Sequence, residues 1–271
     1  MSNSNTFGYP EFFEKQAYPA FERFWKVGNR VLTALNALTL NVGKPKERHH
    51  LFIRNLCMMT GMAYSDVALL AGNGCGMAAI KIARTALESA INAEYLRLNP
   101  AEDEDYFKWG AVETHRKLEY MRVHLPAAFA KVSPEEVAEN DRYKAVRPRF
   151  LLPNGKMRRT WCKLNLRERA EKTGFSEMYD AFYAISSELS HASFGGLAQH
   201  AESLGDNYWE PAIQPSLEGC AIALNVAHYC AFKAVHTLVQ MNEADSSPSI
   251  LDLKKDYDSA WDSERQGEGA G

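Results

Sequence analysis

Apolar side chains recur every three or four residues along most of this chain, which is the spacing of one face of an α-helix. The first such face comprises Tyr18, Phe21, Phe24, Trp25, Leu32, Leu35 and Leu38. Gly43 and Pro45 follow it, and both residue types end helices. No alternating pattern typical of a strand extends over any length, so the sequence predicts helices rather than strands.

Glycine, proline and asparagine divide the rest of the chain into further helical segments. A second helix is predicted over about 47–70, and a third ends at Leu98. Another helix starts at Ser133-Pro134, and the helix predicted over 176–189 extends past His191. The remaining predicted helices cover about 102–124, 165–172 and 215–241. Residues 146–160 form the clearest loop. We expect an all-α, single-domain bundle of about seven to eight helices, mostly antiparallel because the connections are short.

Residues 1–242 are assigned to that single domain, and residues 243–271 to an acidic, partly disordered tail. The five cysteines are odd in number and form no CxxC pair, which favours reduced thiols and a cytoplasmic protein. Glycines or polar residues interrupt the two most apolar stretches, 57–79 and 219–239, so both are interpreted as buried helices rather than membrane spans.

Charge is distributed unevenly along the chain. Residues 140–172 contain eleven Lys or Arg against three acidic residues, whereas the tail from Glu243 contains eight acidic residues against three basic ones. Within the basic segment the candidate nucleic-acid contacts are Arg149, Lys156, Arg158, Arg159 and Trp161. Cations interleaved with an aromatic ring suit phosphate contact and base stacking. The alternative is a solvated loop whose charges meet the acidic tail.

A polar stripe lies on the helix predicted from Ser176. Tyr179, Tyr183, Ser187 and His191 are each four residues apart, so they share a face. His191 is a candidate general acid or base, and Ser187 is its candidate nucleophile or positioning partner. The alternative is structural, with both tyrosines in the core and Ser187 hydrogen-bonded to the imidazole. The GxSxG elbow of serine hydrolases does not occur in the sequence.

The third helix carries a second polar pattern. Arg84 and Glu88 are four residues apart on a helix otherwise rich in Ala, Ile and Leu, and Asn92 continues their face. In a functional interpretation Arg84 binds an anion and Glu88 orients His191. The structural alternative is a salt bridge at the edge of the core.

No metal site and no cofactor are predicted from the sequence. The histidines, including His49-His50, show no ligand spacing with carboxylates, and no HExxH motif occurs. The glycine run from Gly72 to Gly76 lacks the Lys-Ser/Thr of a P-loop. Close approach of neighbouring helices at a break explains those glycines better.

Two segments together resemble a known family. The first segment contains Arg84-xxx-Glu88, followed by Tyr95-Leu96 and Pro100. The second segment begins with Trp161 and continues through Leu166-Arg167-Glu168-Arg169-Ala170-Glu171 to Gly174. It ends with Tyr179-xxx-Tyr183-xxx-Ser187-xxx-His191-Ala192-Ser193. In this order they resemble a bacterial family known as domain of unknown function 5677, over roughly residues 55–240. The resemblance implies a helical fold and little chemistry. Its recurring Arg, Glu, Ser and His correspond here to Arg84, Glu88, Ser187 and His191, which favours one shared site.

These patterns lead to two functional hypotheses from different classes. In the first, Arg84, Glu88, Ser187 and His191 form a polar pocket that binds or acts on a phosphate-bearing ligand, with RNA favoured because of the basic loop. In the second, the protein is a non-catalytic interaction module that binds a partner protein or a second copy of itself. The sequence does not decide whether the protein is an enzyme.

Overall fold

The computed structural model describes residues 8–41, 47–133, 141–190, 201–203, 209–211, 214–241 and 252–260. Its longer helices are α1 Glu22–Asn41, α2 Arg48–Gly72, α3 Gly76–Leu98, α4 Asp103–His124, α5 Leu166–Thr173, α6 Ser176–Ser190 and α7 Cys220–Met241. The predicted all-α class is confirmed. None of the described helices combines the length and the apolar character that a membrane crossing requires.

Short helical turns precede α1 and flank α4. They are Pro10–Phe12, the π-helical Phe13–Ala17, Tyr18–Ala20, the 3₁₀ turns Pro100–Glu102 and Arg147–Phe150, and Pro126–Phe129, with residues 141–146 also helical. The helix start predicted at Ser133-Pro134 falls largely on residues 134–140, which lie outside the described residues.

The centre of the fold is α3, which packs against both α2 and α7. Leu87 and Ile91 of α3 and Leu224 and Leu238 of α7 are fully buried. Alanines at the contacts, Ala83 among them, are also fully buried and keep the helix axes close. Neighbouring helices cover most of the surface of α3, which explains why its sequence has apolar residues on most of its faces.

The glycine run between α2 and α3 makes the close approach that the sequence predicted. Gly74 has a φ of +71°, a backbone conformation that glycine adopts without strain. A Cβ on Gly76 would lie 1.9 Å from the carbonyl oxygen of Glu218. Any side chain there would therefore separate the start of α3 from the segment that leads into α7.

Backbone contacts divide the chain into two compact units, Met1–Leu98 with Arg169–Gly271, and Asn99–Glu168. The second unit has its own aromatic contacts: the rings of Trp109 and Phe150 meet edge-on with centroids 5.1 Å apart. The single domain predicted over residues 1–242 includes residues of both units, and it stays a prediction.

Two features of the first unit lie outside the predicted helices. A small antiparallel hairpin pairs β1 Ala201–Ser203 with β2 Trp209–Pro211. Three residues per strand are too few to produce a readable alternation in the sequence.

Part of the predicted acidic tail is an ordered helix over residues 252–260. Its Leu253 is buried, and its Tyr257 ring stacks on Phe232 of α7 with centroids 4.8 Å apart. Asp256 forms an ion pair with Arg30 of α1. This stretch of the tail therefore packs onto the helices of its own unit.

Candidate functional site

Polar residues form a stripe along one side of α3. Arg84 Nε donates a hydrogen bond to Glu88 Oε1 at 2.9 Å, one helical turn away. The Arg84 side chain is 22% exposed and that of Glu88 is 39% exposed. The ion pair therefore lies at the edge of the core, where solvent or a ligand can reach it.

Helix α6 completes the surroundings of Arg84. A terminal nitrogen of the guanidinium donates to the hydroxyl oxygen of Tyr183 at 2.5 Å, and the guanidinium carbon lies 4.3 Å from the centroid of that ring. The Tyr183 ring stacks in turn on Tyr179, with centroids 4.5 Å apart and an angle of 18°. One cation and two aromatic rings thus form a layered arrangement, which we call the Arg84–tyrosine stack.

The charge of Arg84 is maintained in this position. Burial is the largest single influence on its pKa and lowers it, but the hydrogen bonds to Glu88 and Tyr183, together with the favourable electrostatic influence of both groups, raise it more. The net result is a pKa above the ordinary value for arginine. The guanidinium is therefore a permanent cation beside two aromatic faces.

The same stripe continues to Asn92, whose side-chain oxygen accepts a hydrogen bond from Arg169 of α5. Arg169 is 5% exposed, whereas its neighbours Arg167 and Glu168 are exposed. In the sequence Arg169 is one cation of the basic segment and part of the motif that resembles the family, and neither pattern predicts its burial. Arg169 shares a helical face with Ala170 and Thr173, which are also buried. That spacing is the sequence signal that could have distinguished Arg169 from its exposed neighbours.

The structure brings together only part of the predicted catalytic set. Arg84 and Glu88 pair as expected, and the α6 stripe meets them through Tyr183. Ser187 lies one turn beyond Tyr183 on α6 and is half-buried. His191 lies outside the described residues, so its contact with Ser187 or Glu88 stays a prediction.

The basic segment differs from the predicted nucleic-acid surface because two of its five candidate residues are buried. Arg158 is 8% exposed and Trp161 is 5% exposed. The Trp161 ring packs edge-on against Tyr106 with centroids 5.1 Å apart. The expected base-stacking role of Trp161 and phosphate role of Arg158 therefore do not fit their positions.

Buried Asp105 explains the inward position of Arg158. The guanidinium of Arg158 donates to the carbonyl oxygens of Arg149 and Trp161, at 2.6 Å and 3.2 Å, and lies 3.7 Å from the Asp105 carboxylate. Arg149 also pairs with Asp105 through its Nε. These cations brace the loop. Lys156 and Arg159 are exposed, and Arg149 is exposed as well but is paired with Asp105.

A second polar pair in the first unit is fully enclosed. The hydroxyl of Tyr64 on α2 and Nε2 of His228 on α7 are hydrogen-bonded at 2.7 Å. A Cβ on Gly28 of α1 would lie 1.8 Å from the Tyr64 hydroxyl, so the helices close over the pair. Burial lowers the His228 pKa to about 3, which keeps the imidazole neutral. This geometry is that of a structural pair.

Comparison with known proteins gives one match. The family model described as a family of unknown function, DUF5677, matches residues 50–208, which is more than half of the chain. The match includes Arg84, Glu88 and Tyr183, and the basic segment as well. The chain matches no curated protein and no solved structure. The chain belongs to the family of unknown function DUF5677.

Proposed function

We propose that the Arg84–tyrosine stack and Glu88 bind a phosphate-bearing ligand, and that RNA is the favoured class. The observation that carries this proposal is the alignment of the guanidinium with the stacked rings of Tyr183 and Tyr179 at the edge of the core. Proteins that bind single-stranded nucleic acids combine cations for phosphates with aromatic faces for bases. Both groups lie side by side here.

The chemistry of Arg84 suits this role although it already has two partners. A guanidinium has five N–H donors, and the bonds to Glu88 and Tyr183 use two of them. Those bonds hold the group in one orientation, which reduces the entropy lost when an anion binds. Glu88 also balances the charge, so the site favours a ligand that brings an aromatic base as well as a phosphate.

Turnover of the ligand would require a group that moves protons. We assign that role to His191, with Ser187 as its nucleophile or positioning partner. Binding alone requires only the described residues of α3 and α6. The two activities are therefore separable by mutation.

Titration of a fluorescently labelled single-stranded RNA, followed by anisotropy at several salt concentrations, tests the binding proposal. Arg84→Gln should weaken binding about 10-fold or more and make its salt dependence shallower, because a phosphate contact is lost. Arg97→Gln is the matched control, since Arg97 pairs with Glu94 on the same helix at 2.6 Å. Equal affinities of both variants and the wild type, or no binding by the wild type, would contradict the proposal.

Self-association is a second candidate function, favoured by an exposed apolar stripe on α2. The stripe consists of Leu51, Met58, Met62 and Leu69, which are 36%, 43%, 62% and 67% exposed. Together they expose on the order of a few hundred Å² of apolar surface, a size at which a patch is often functional.

The spacing of the α2 stripe is symmetric about Thr60. Leu51 and Leu69 are each nine residues from it, and Met58 and Met62 are each two residues from it. Two copies of α2, antiparallel about a two-fold axis at this level, would place leucine against leucine and methionine against methionine. The Asn55 amide of each copy would then face the Asp66 carboxylate of the other, since both flank the same side of the stripe.

A further inference from the structure

Three side chains that can bind metal ions meet at the start of α2. The candidate ligand atoms of Glu47, His49 and His50 all lie within 4.8 Å of one another. Oε2 of Glu47 is 3.1 Å from Nδ1 of His49, and the two imidazole rings have centroids 4.1 Å apart. This cluster is on a different helix from the Arg84–tyrosine stack and is independent of the proposed function.

The helix boundary produces this convergence. Glu47 is the N-cap residue of α2 with an extended backbone, φ −129° and ψ 148°, whereas His49 and His50 lie within the first turn. The change of direction at Glu47 brings its carboxylate to the side chain of His49. Helical spacing alone does not indicate this contact, because the Glu47 backbone is extended and lies immediately outside the helix.

We propose that Glu47, His49 and His50 form a site for a divalent transition-metal ion, with Zn²⁺ as the best match. Two imidazole nitrogens and one carboxylate oxygen are a ligand set that zinc uses when its fourth position holds water. Ligand bonds of about 2.0–2.2 Å place neighbouring ligand atoms roughly 3.3–3.5 Å apart, close to the separation of Glu47 and His49. A hard cation such as Mg²⁺ prefers an all-oxygen set and fits poorly.

The cluster is accessible to a metal ion from solvent. The His49 side chain is 20% exposed and that of Glu47 63% exposed, so the site is open to solvent on the carboxylate side.

The helix terminus opposes a cation at this position. Its partial positive charge lowers the affinity by a factor of about 2–5 at an exposed end. Three direct ligand bonds outweigh that effect, because zinc affinity comes mainly from its coordination bonds. All three ligands come from one short stretch, so the ion is not needed for folding and a chelator should remove it from the folded protein.

Isothermal titration of the full chain with Zn²⁺ at neutral pH tests the proposal. The wild type should bind one equivalent more than the His49→Ala and His50→Ala variants, or bind it about 10-fold more tightly. Glu47→Gln should weaken binding as well, and its exposed position makes misfolding an insufficient explanation. His124→Ala, which removes an exposed histidine at the end of α4, is the control and should bind like the wild type.

Two further measurements separate a built site from weak surface binding. Mg²⁺ should give no heat at the same concentration, and Zn²⁺ binding should weaken as the pH falls and the imidazoles gain protons. Circular dichroism should show the same helix content before and after chelation. The proposal is overturned if the wild type binds no Zn²⁺, or if the Glu47, His49 and His50 variants bind it as the wild type does.

Discussion

Tyr183 accepts a 2.5 Å hydrogen bond from Arg84, a residue 99 positions earlier in the chain, and its ring lies beneath the same guanidinium. This contact joins α3 to α6, the two helices that carry the predicted polar stripes. It also orients Arg84, because Glu88 holds the other side of the guanidinium. The contact brings residues of two separate sequence patterns together in space.

Removal of the Tyr183 hydroxyl should cost stability without removing the stack. We expect Tyr183→Phe to lower the free energy of unfolding by about 0.5–1.5 kcal/mol, since one partly buried hydrogen bond is lost while the ring remains. Urea denaturation followed by circular dichroism measures the difference. Tyr120→Phe is the control, because Tyr120 is 60% exposed on α4 and its loss of a hydroxyl should have little effect. Equal losses in both variants would remove the structural role assigned to the contact.

The proposed role of His191 predicts loss of activity without loss of stability. His191→Ala should abolish turnover of RNA while the melting temperature stays nearly the same. RNA binding should be retained, because the Arg84–tyrosine stack is intact. A large fall in the melting temperature would instead identify His191 as a structural residue.

Arg158 and Arg159 are adjacent in the basic loop, but replacing each with alanine should affect the free energy of unfolding very differently. Arg158→Ala should lower the free energy of unfolding by about 1–3 kcal/mol, because the carbonyl oxygens of Arg149 and Trp161 lose their donor and Asp105 loses one of its two cations. Arg159→Ala should change it by no more than about 0.5 kcal/mol, since that side chain is exposed. Chemical denaturation of both variants checks this. Similar values would contradict the bracing role of Arg158.

The enclosed His228 should make the protein sensitive to acid. Its pKa is lowered from 6.5 to about 3, so below pH 6.5 the unfolded chain binds a proton that the folded chain does not. Stability from this group is therefore complete above pH 6.5 and falls by about 1.4 kcal/mol per pH unit down to about pH 3. His228→Gln, which keeps a polar group beside Tyr64 but does not titrate, should flatten the pH dependence by that amount.

The matched control for His228 is His124→Gln at the exposed end of α4. Its pH dependence of unfolding should follow that of the wild type. If His228→Gln also follows the wild type, the imidazole does not titrate as its burial requires.

The α2 stripe predicts a dimer that one charge disrupts. The wild type should elute with the mass of two chains in size-exclusion chromatography with light scattering, and Met62→Glu should elute as a monomer, because two carboxylates would be buried near the two-fold axis. Ile222→Glu is the control, since Ile222 is an apolar residue that is 43% exposed on a different helix, α7. A monomeric wild type, or a dimer that survives Met62→Glu, would exclude this interface.

Helix positions followed closely from the sequence. The second predicted helix, 47–70, corresponds to Arg48–Gly72, and the fourth, 102–124, to Asp103–His124. The last helix ends at Met241 as predicted but begins at Cys220, because residues 215–219 are not helical and Ser216 instead forms a bridge to Cys75. Periodic apolar faces and glycine or proline breaks are local signals, and they are sufficient to locate long helices.

Within the candidate site, the sequence determined contacts that one helix makes by itself. Arg84 and Glu88 had to be neighbours once α3 was a helix, because residues four apart share a face. Only the tertiary structure decided that Tyr183 contacts Arg84 and that Asn92 contacts Arg169. It also decided that Arg158 and Trp161 are buried. Those contacts depend on which helix faces meet and, for Arg158, on the Asp105 carboxylate, which is distant in the chain. A local periodic pattern does not show how far apart two elements lie or which of their faces are in contact.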